Sequence, residues 1–246
     1  MRHGGQILAD QLKLHGVRRV FSVPGESFLA ALDGLYESGI ENIVCRHEGG
    51  AAMMAEAHGK MTGTPGIAFV TRGPGATNAS AGIHIARQDS TPMILFVGQI
   101  DRGHRDREAF QEINYREVFG GLAKWAAEID QTERLPEYIR RAFAVATSGR
   151  PGPVVLALPE DMLVEATDAG DAQPYVAHRP AATAADIARV REILAGAERV
   201  QIQQVEIGGD LQAGEHGGRA VGVALPCCRG QDDGAVVAQD AICWRL

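Results

Sequence analysis

Through residues 1–165, short apolar runs alternate with longer amphipathic stretches. The runs are Val17–Val23, Asn42–Cys45, Gly66–Thr71, Met93–Val97, Lys124–Ile129 and Val154–Leu158. Each is mostly apolar, rich in β-branched residues, and bounded by Gly, Pro or Asp. A strand covered on one side only would alternate polar and apolar positions, so continuous runs predict strands buried on both faces. The stretches between them read as helices. In the first, Ile7, Leu8, Leu12 and the neighbouring Leu14 form an apolar stripe that ends at Gly16, a C-cap candidate. The others run from Ser27 to Tyr36, Gly49 to Met61, Ala76 to Arg87 and Leu135 to Ala146. Strand and helix alternate five or six times. The pattern predicts an α/β fold, a parallel sheet of about six strands with helices on both faces.

The pattern then breaks. From Glu165 to Ala182 the chain shifts to Ala, Asp, Gly and Pro, the composition of a linker. A further helix is expected after Thr183 as N-cap, with Ile187, Val190, Ile193 and Leu194 on one face. Residues 201–246 hold eight glycines and three of the four cysteines, with no clear period. The expected organisation is a domain over 1–165, a linker over 166–182, and over 183–246 an incomplete or aberrant fragment of a second domain.

Composition narrows the function classes. Apolar residues make up 45% and charged residues 22%, the balance of a folded globular protein. With 24 Lys and Arg against 31 Asp and Glu the net charge is −7, and no basic cluster offers a nucleic-acid footprint. No apolar run approaches the ~20 residues that span a bilayer. Met1–Gln6 leads into an amphipathic stretch rather than an apolar signal core, so the reading is no export and no membrane. Cys45, Cys227, Cys228 and Cys243 show no CxxC spacing, which suits a reduced, cytoplasmic protein without structural zinc.

In a parallel sheet, ligands bind at the carboxyl ends of the strands. Four informative turns are expected there: Pro24-Gly25-Glu26-Ser27, Arg46-His47-Glu48-Gly49, Thr71-Arg72-Gly73-Pro74-Gly75 and Gly98-Gln99. Glu48, shielded by Met53 and Met54, would have its pKa raised by desolvation and could donate a proton. It equally suits a helix-terminal carboxylate stabilised by the macrodipole. Gly73-Pro74-Gly75-Ala76-Thr77-Asn78 lets backbone approach a ligand and presents free N–H groups, or is simply a tight turn. Phe110-Gln111-Glu112 lies in a charge-rich segment whose plain reading is a solvated loop. His47, His84 and Lys124 read as structural, and no metal-ligand spacing stands out.

Five segments in order carry a resemblance: Arg46-His47-Glu48, Thr71–Asn78, Asp89-Ser90-Thr91-Pro92, Phe110-Gln111-Glu112 and Ser148-Gly149-Arg150-Pro151-Gly152-Pro153-Val154. Over about residues 3–165 the chain resembles the N-terminal pyrimidine-binding domain of thiamine-diphosphate enzymes of the acetolactate synthase type. The resemblance implies that Glu48 is the catalytic carboxyl, bonding N1′ of the aminopyrimidine. It implies a cofactor pocket lined by Pro24, Gly25, Gly73, Pro74, Gly75, Asn78 and Gln111. The implied substrate is a 2-oxo acid such as pyruvate, converted to acetolactate in branched-chain amino acid biosynthesis. A benzoylformate-decarboxylase-like relative is the second choice. The family's magnesium is held by a Gly-Asp-Gly motif in a later domain and its FAD mainly by a central domain; this sequence has no Gly-Asp-Gly. A strand expected after the Thr183 helix is replaced by Gln201-Ile202-Gln203-Gln204. The chain is therefore expected to be a truncated product, with a shifted reading frame beyond about Val200. It would be a half-site, inactive alone, that forms a homo-oligomer or joins a chain supplying the diphosphate-binding domain; alternatively it is a non-catalytic module. Glu26 also departs from the Pro-Gly-Gly form common in the family and places a charge beside the site.

Overall fold

The computed structural model describes residues 1–177, 181–196, 201–203 and 222–224. Contacts divide the chain into two units, Met1–His178 and Arg179–Leu246. The first runs β1 (Arg2–His3), α1 (Gly4–Leu14), β2 (Arg19–Ser22), α2 (Leu29–Tyr36), β3 (Glu41–Val44), α3 (Glu48–Thr62), β4 (Gly66–Val70), α4 (Pro74–Gln88), β5 (Met93–Gln99), α5 (Tyr115–Phe119), β6 (Trp125–Glu128), α6 (Leu135–Thr147), β7 (Pro153–Pro159), α7 (Glu160–Val164) and β8 (Ala166–Thr167). Strands β2 to β7 form one six-stranded parallel sheet in the order β3-β2-β4-β5-β7-β6.

The apolar runs are continuous because the central strands feed two cores. On one face Ile67, Phe69, Ile94, Phe96, Val154, Leu156 and Leu158 pack with residues of α1, α2, α6 and α7. On the other, Ala68, Val70, Met93, Leu95, Val97, Val155 and Ala157 pack with α3, α4 and α5. The period-2 alternation is thus present, but both of its faces are apolar. Phe28, Phe69 and Phe96 stack in a row, with centroids 5.9 and 4.8 Å apart. Truncating a fully buried phenylalanine such as Phe69 costs about 3–5 kcal/mol.

Helices α3 and α4 meet through small residues. A Cβ on Gly82 would stand 2.5 Å from the Cβ of Ala52, so the close approach of these helices requires glycine there. That approach brings the first turns of α3 and α4 together at the carboxyl edge of the sheet.

Two of the motif segments lie at the opposite edge. Asp89–Pro92 immediately precedes β5 and Ser148–Gly152 immediately precedes β7, and Met93 pairs with Pro153 in register. Arg150 joins them, donating to Ser90 Oγ (2.7 Å) and the Gln88 carbonyl (2.9 Å). Lys124 also acts there. Its Nζ donates to the Val145 and Ser148 carbonyls at 2.5 and 2.7 Å, a cation on the negative end of α6. Burial, with Arg87 nearby, lowers its pKa.

Three features were not legible in the pattern. α5 and α7 are five-residue helices, too short to show a period. β1 pairs antiparallel with β8, tying the start of the unit to residues 166–167. Beyond β8, Arg2 and Gln11 both donate to Asp171, and Tyr175 stacks on His15, which also packs on Phe143. Residues 166–175 therefore lie against α1 and α6.

In the second unit, α8 (Ala184–Ala195) starts at Thr183, whose hydroxyl accepts from the Asp186 amide while the Asp186 carboxylate accepts from the Thr183 amide. Its expected apolar face is only partly covered: Val190, Ile193 and Leu194 are half-buried and Ile187 is exposed. Where no strand was expected, β9 (Gln201–Gln203) pairs antiparallel with β10 (Gly222–Ala224). Backbone pairing needs no apolar run, so the polar Gln201–Gln203 sequence does not preclude it. The rest of 201–246, including Cys227, Cys228 and Cys243, lies outside the described residues.

Candidate functional site

The sheet order creates the site. After β2 the chain moves outward to β3 at the edge, then crosses back so that β4 lies on the other side of β2. The carboxyl end of this β2/β4 junction is a topological switch point, where loops diverge and leave a crevice. Pro24–Ser27 follows β2, Arg46–Glu48 follows β3 and Thr71–Gly75 follows β4.

Local capping sets each side chain. His47 is the N-cap of α3, its Nδ1 accepting from the Gly49 amide at 3.0 Å. Glu48 is thereby the first residue of that helix. Pro74 opens α4 after Gly73, which adopts φ +61°. Asn78, one turn into α4, donates from Nδ2 to Glu48 Oε2 at 3.0 Å. Gly75 is buried beside them: a Cβ there would stand 2.8 Å from Thr71 Cγ2 and 3.5 Å from Glu48 Oε1. Glu48, Gly73, Pro74, Gly75 and Asn78 thus form one corner.

Gln111 joins it. The residue has φ +63°, and its Cβ would lie 2.7 Å from a Cβ on Gly73. The segment is therefore packed on the turn instead of being a solvated loop, although Phe110 itself is 72% exposed. Gly25 packs on the Thr71 side chain, and Pro24 beside it is exposed.

Two expectations are corrected. Glu48 is only partly buried, and Met53 and Met54, expected to shield it, are 36% and 47% exposed. The apolar face of α3 toward the sheet is made of Ala51, Ala52 and Ala55, which turns the methionines outward. Gly98 and Gln99 belong to β5 and form no turn, because β7 continues alongside them to Pro159. Gly98 serves packing: a Cβ there would stand 1.9 Å from Ser27 Oγ.

No role of their own was expected for Arg72, Tyr115, Glu160 or Ser27, although Arg72 and Ser27 lie in the expected turns. The buried Arg72 donates to Glu26 Oε1 (2.8 Å), Glu160 Oε2 (3.1 Å) and the Phe110 carbonyl (3.1 Å). The charge that Glu26 brings to this edge is therefore paired. Ser27 Oγ lies 2.9 Å from Thr71 Oγ1 and accepts from the Arg72 amide. The buried Tyr115 hydroxyl accepts from the Gly73 amide at 2.8 Å. Burial pushes its phenol up to about 12, against the opposing effects of the Gly73 hydrogen bond and Arg72, so it is neutral at pH 7. An arginine within a glycine turn was the available signal for Arg72; Tyr115 left none. His84 is exposed on α4. Among the described residues, no three His, Cys, Asp or Glu side chains gather as a metal-ligand set, and no helix is long and apolar enough to cross a membrane.

Residues 2–118, which contain this corner, match the family described as thiamine pyrophosphate enzyme, N-terminal TPP binding domain. Residues 2–118 carry a thiamine pyrophosphate enzyme N-terminal domain. Acetolactate synthases are among its relatives. The chain is 35% identical over 200 residues to the acetolactate synthase isozyme 2 large subunit of Escherichia coli, covering 80% of this chain and 36% of that protein. It is 33% identical over 192 residues to the acetolactate synthase of Bacillus subtilis, covering 77% and 34%. It is 39% identical over 160 residues to the mitochondrial acetolactate synthase catalytic subunit of Saccharomyces cerevisiae, covering 65% and 23%. The chain thus spans between about a quarter and about a third of the length of each of these relatives.

Proposed function

We propose that Glu48, Asn78 and the Gly73–Pro74–Gly75 turn hold the aminopyrimidine ring of thiamine diphosphate, and that Glu48 is the catalytic carboxyl. One observation carries this reading: a carboxylate oxygen without a hydrogen-bond partner among the described residues, Glu48 Oε1, lies beside the glycine turn, 3.5 Å from where a Cβ on Gly75 would stand. Asn78 occupies Oε2 and so orients the carboxyl, leaving Oε1 to share a proton with ring nitrogen N1′. The absence of a Cβ at Gly75, which would meet Thr71 Cγ2 at 2.8 Å, lets the backbone of the turn lie close to that oxygen. Pro24, Gly25 and Gln111 line the reacting side. The bound cofactor supplies the electron sink that decarboxylation of a 2-oxo acid requires.

A carboxyl that exchanges a proton with a weakly basic nitrogen works best when dry. Glu48 is only partly buried in this chain, and Val44, Met53 and Met54, near it in sequence, are exposed apolar groups. Both facts support a second surface that covers the corner. The proposed cover is a diphosphate-binding domain, supplied by the same or another polypeptide, since these 246 residues contain no Gly-Asp-Gly string. The assembled, cytoplasmic enzyme, a homo-oligomer with magnesium and FAD bound outside the described residues, would convert a 2-oxo acid such as pyruvate to acetolactate. The chain by itself would turn over nothing.

Calorimetric titration with thiamine diphosphate and magnesium tests the assignment on wild type and Glu48→Gln. The variant keeps the shape and the Asn78 contact, and should lose the binding heat. Equal heats from both proteins would remove Glu48 from the site.

A further inference from the structure

Arg72 connects more of the carboxyl edge than any role in the proposed pocket requires. It follows β4, and its guanidinium reaches the loop after β2 (Glu26), the loop after β5 (Phe110 carbonyl) and the start of α7 after β7 (Glu160). These four strands are consecutive in the sheet. The residue is only 6% exposed, while its partners Glu26 and Glu160 remain partly in water. A planar fork can serve three acceptors in fixed directions; a lysine ammonium on a flexible stem cannot reproduce that geometry.

The segment it holds is strained. Asp106, Glu108 and Gln111 all have positive φ (60°, 55° and 63°), which is disfavoured for residues other than glycine and persists only where the surroundings enforce it. Within the loop, the Glu112 carboxylate accepts from the Asp106 and Ala109 amides at 2.8 and 3.2 Å. Those bonds shape the loop but do not attach it to the sheet. The Arg72–Phe110 bond does, one residue before Gln111, whose Cβ sits against Gly73.

We infer that Arg72 is a positioning residue, which fastens the Phe110–Gln111 segment over the Gly73–Gly75 corner and uses Glu26 and Glu160 to hold its own guanidinium in place. Glu26 at this position is then the partner that lets an arginine stand in the turn. Only the ligand readout below rests on the thiamine diphosphate reading; the loop readout does not.

Hydrogen–deuterium exchange on the full chain, with thiamine diphosphate and magnesium titrated in parallel, tests this. In Arg72→Gln, amides of 108–112 should exchange roughly ten- to a hundredfold faster, the equivalent of one charge-assisted hydrogen bond. Amides of β4 and β5 should keep wild-type protection, and cofactor affinity should fall by a similar factor. Arg72→Lys should melt within a few degrees of wild type, as a retained cation would, yet leave 108–112 as loose as in Arg72→Gln. Glu26→Gln, altered outside the turn, should loosen the same segment by a smaller factor and keeps the test open should Arg72→Gln not fold. Unchanged exchange over 108–112 in Arg72→Gln, or full recovery of protection in Arg72→Lys, would overturn the assignment. Should wild type take up no thiamine diphosphate while the loop still loosens, the pocket reading falls and the role of Arg72 stands.

Discussion

Replacing Tyr115 with phenylalanine removes one oxygen from a well-defined place. The Tyr115 hydroxyl is the acceptor for the Gly73 amide at 2.8 Å, and both residues are buried. Phenylalanine preserves the ring and its stacking on Phe119 at 6.3 Å, but leaves that amide unpaired in a turn of positive φ. An unsatisfied buried donor costs about 1–3 kcal/mol. For a unit of this size that lowers the melting temperature by about 2–12 °C. The pH dependence gives a second, independent signature. Burial raises the Tyr115 pKa to about 12, above the ordinary 10.0, so the native state holds its proton more tightly than the unfolded chain. The resulting stability is fully present below pH 10 and is lost as pH rises through about 12, a loss on the order of 2–3 kcal/mol. Tyr115→Phe has no such proton to release. Urea denaturation of both proteins at pH 7 and at several points toward pH 11 should therefore show a gap that narrows as the solution becomes alkaline. A neutral-pH difference below about 0.3 kcal/mol would refute the argument that this hydroxyl anchors the glycine turn, and a gap that stays constant with pH would refute the burial of the phenol.

Lys124→Met keeps the aliphatic stem and removes the cation from the end of α6; denaturation should show a loss of about 1–2 kcal/mol, with thiamine diphosphate binding unaltered because the residue lies at the far edge of the sheet. His15, stacked on Tyr175 and packed on Phe143, has its pKa lowered by burial and by Arg140, despite the opposing effect of the Gln11 backbone. Its contribution is present above the ordinary 6.5 and is lost as pH falls through the lower native value, so His15→Phe should flatten the acid limb of a stability-versus-pH curve, as read by thermal melts between pH 7 and 4.

The site was legible as residues but not as an arrangement. Glu48, the glycine–proline turn and Gln111 each stood out by type and position, yet each also fitted an ordinary helix start, turn or loop. The Asn78–Glu48 bond and the Gly73–Gln111 contact bring them together, and these join residues 30 and 38 positions apart in sequence. The same limit explains the misplaced shielding of Glu48. Met53 and Met54 are apolar and near in sequence, but the alanine face of α3 packs inward more closely and leaves the larger side chains outside.

What the amino-acid order determined unaided was local: strands buried on both sides, the helices between them, the chain reversals, and five short segments marking the family. Those properties depend on side-chain burial and backbone hydrogen bonding over a few residues, which periodicity records directly. Strand order was decided only in three dimensions. It put β4 beside β2 and brought the loops after β2, β3 and β4 to one edge, sent Asp89–Pro92 and Ser148–Gly152 to the opposite edge as packing devices, and delivered Glu160 to Arg72 across 88 residues of chain. Pairings of that kind arise from the summed packing of the whole sheet, and no window of neighbouring residues contains the sum.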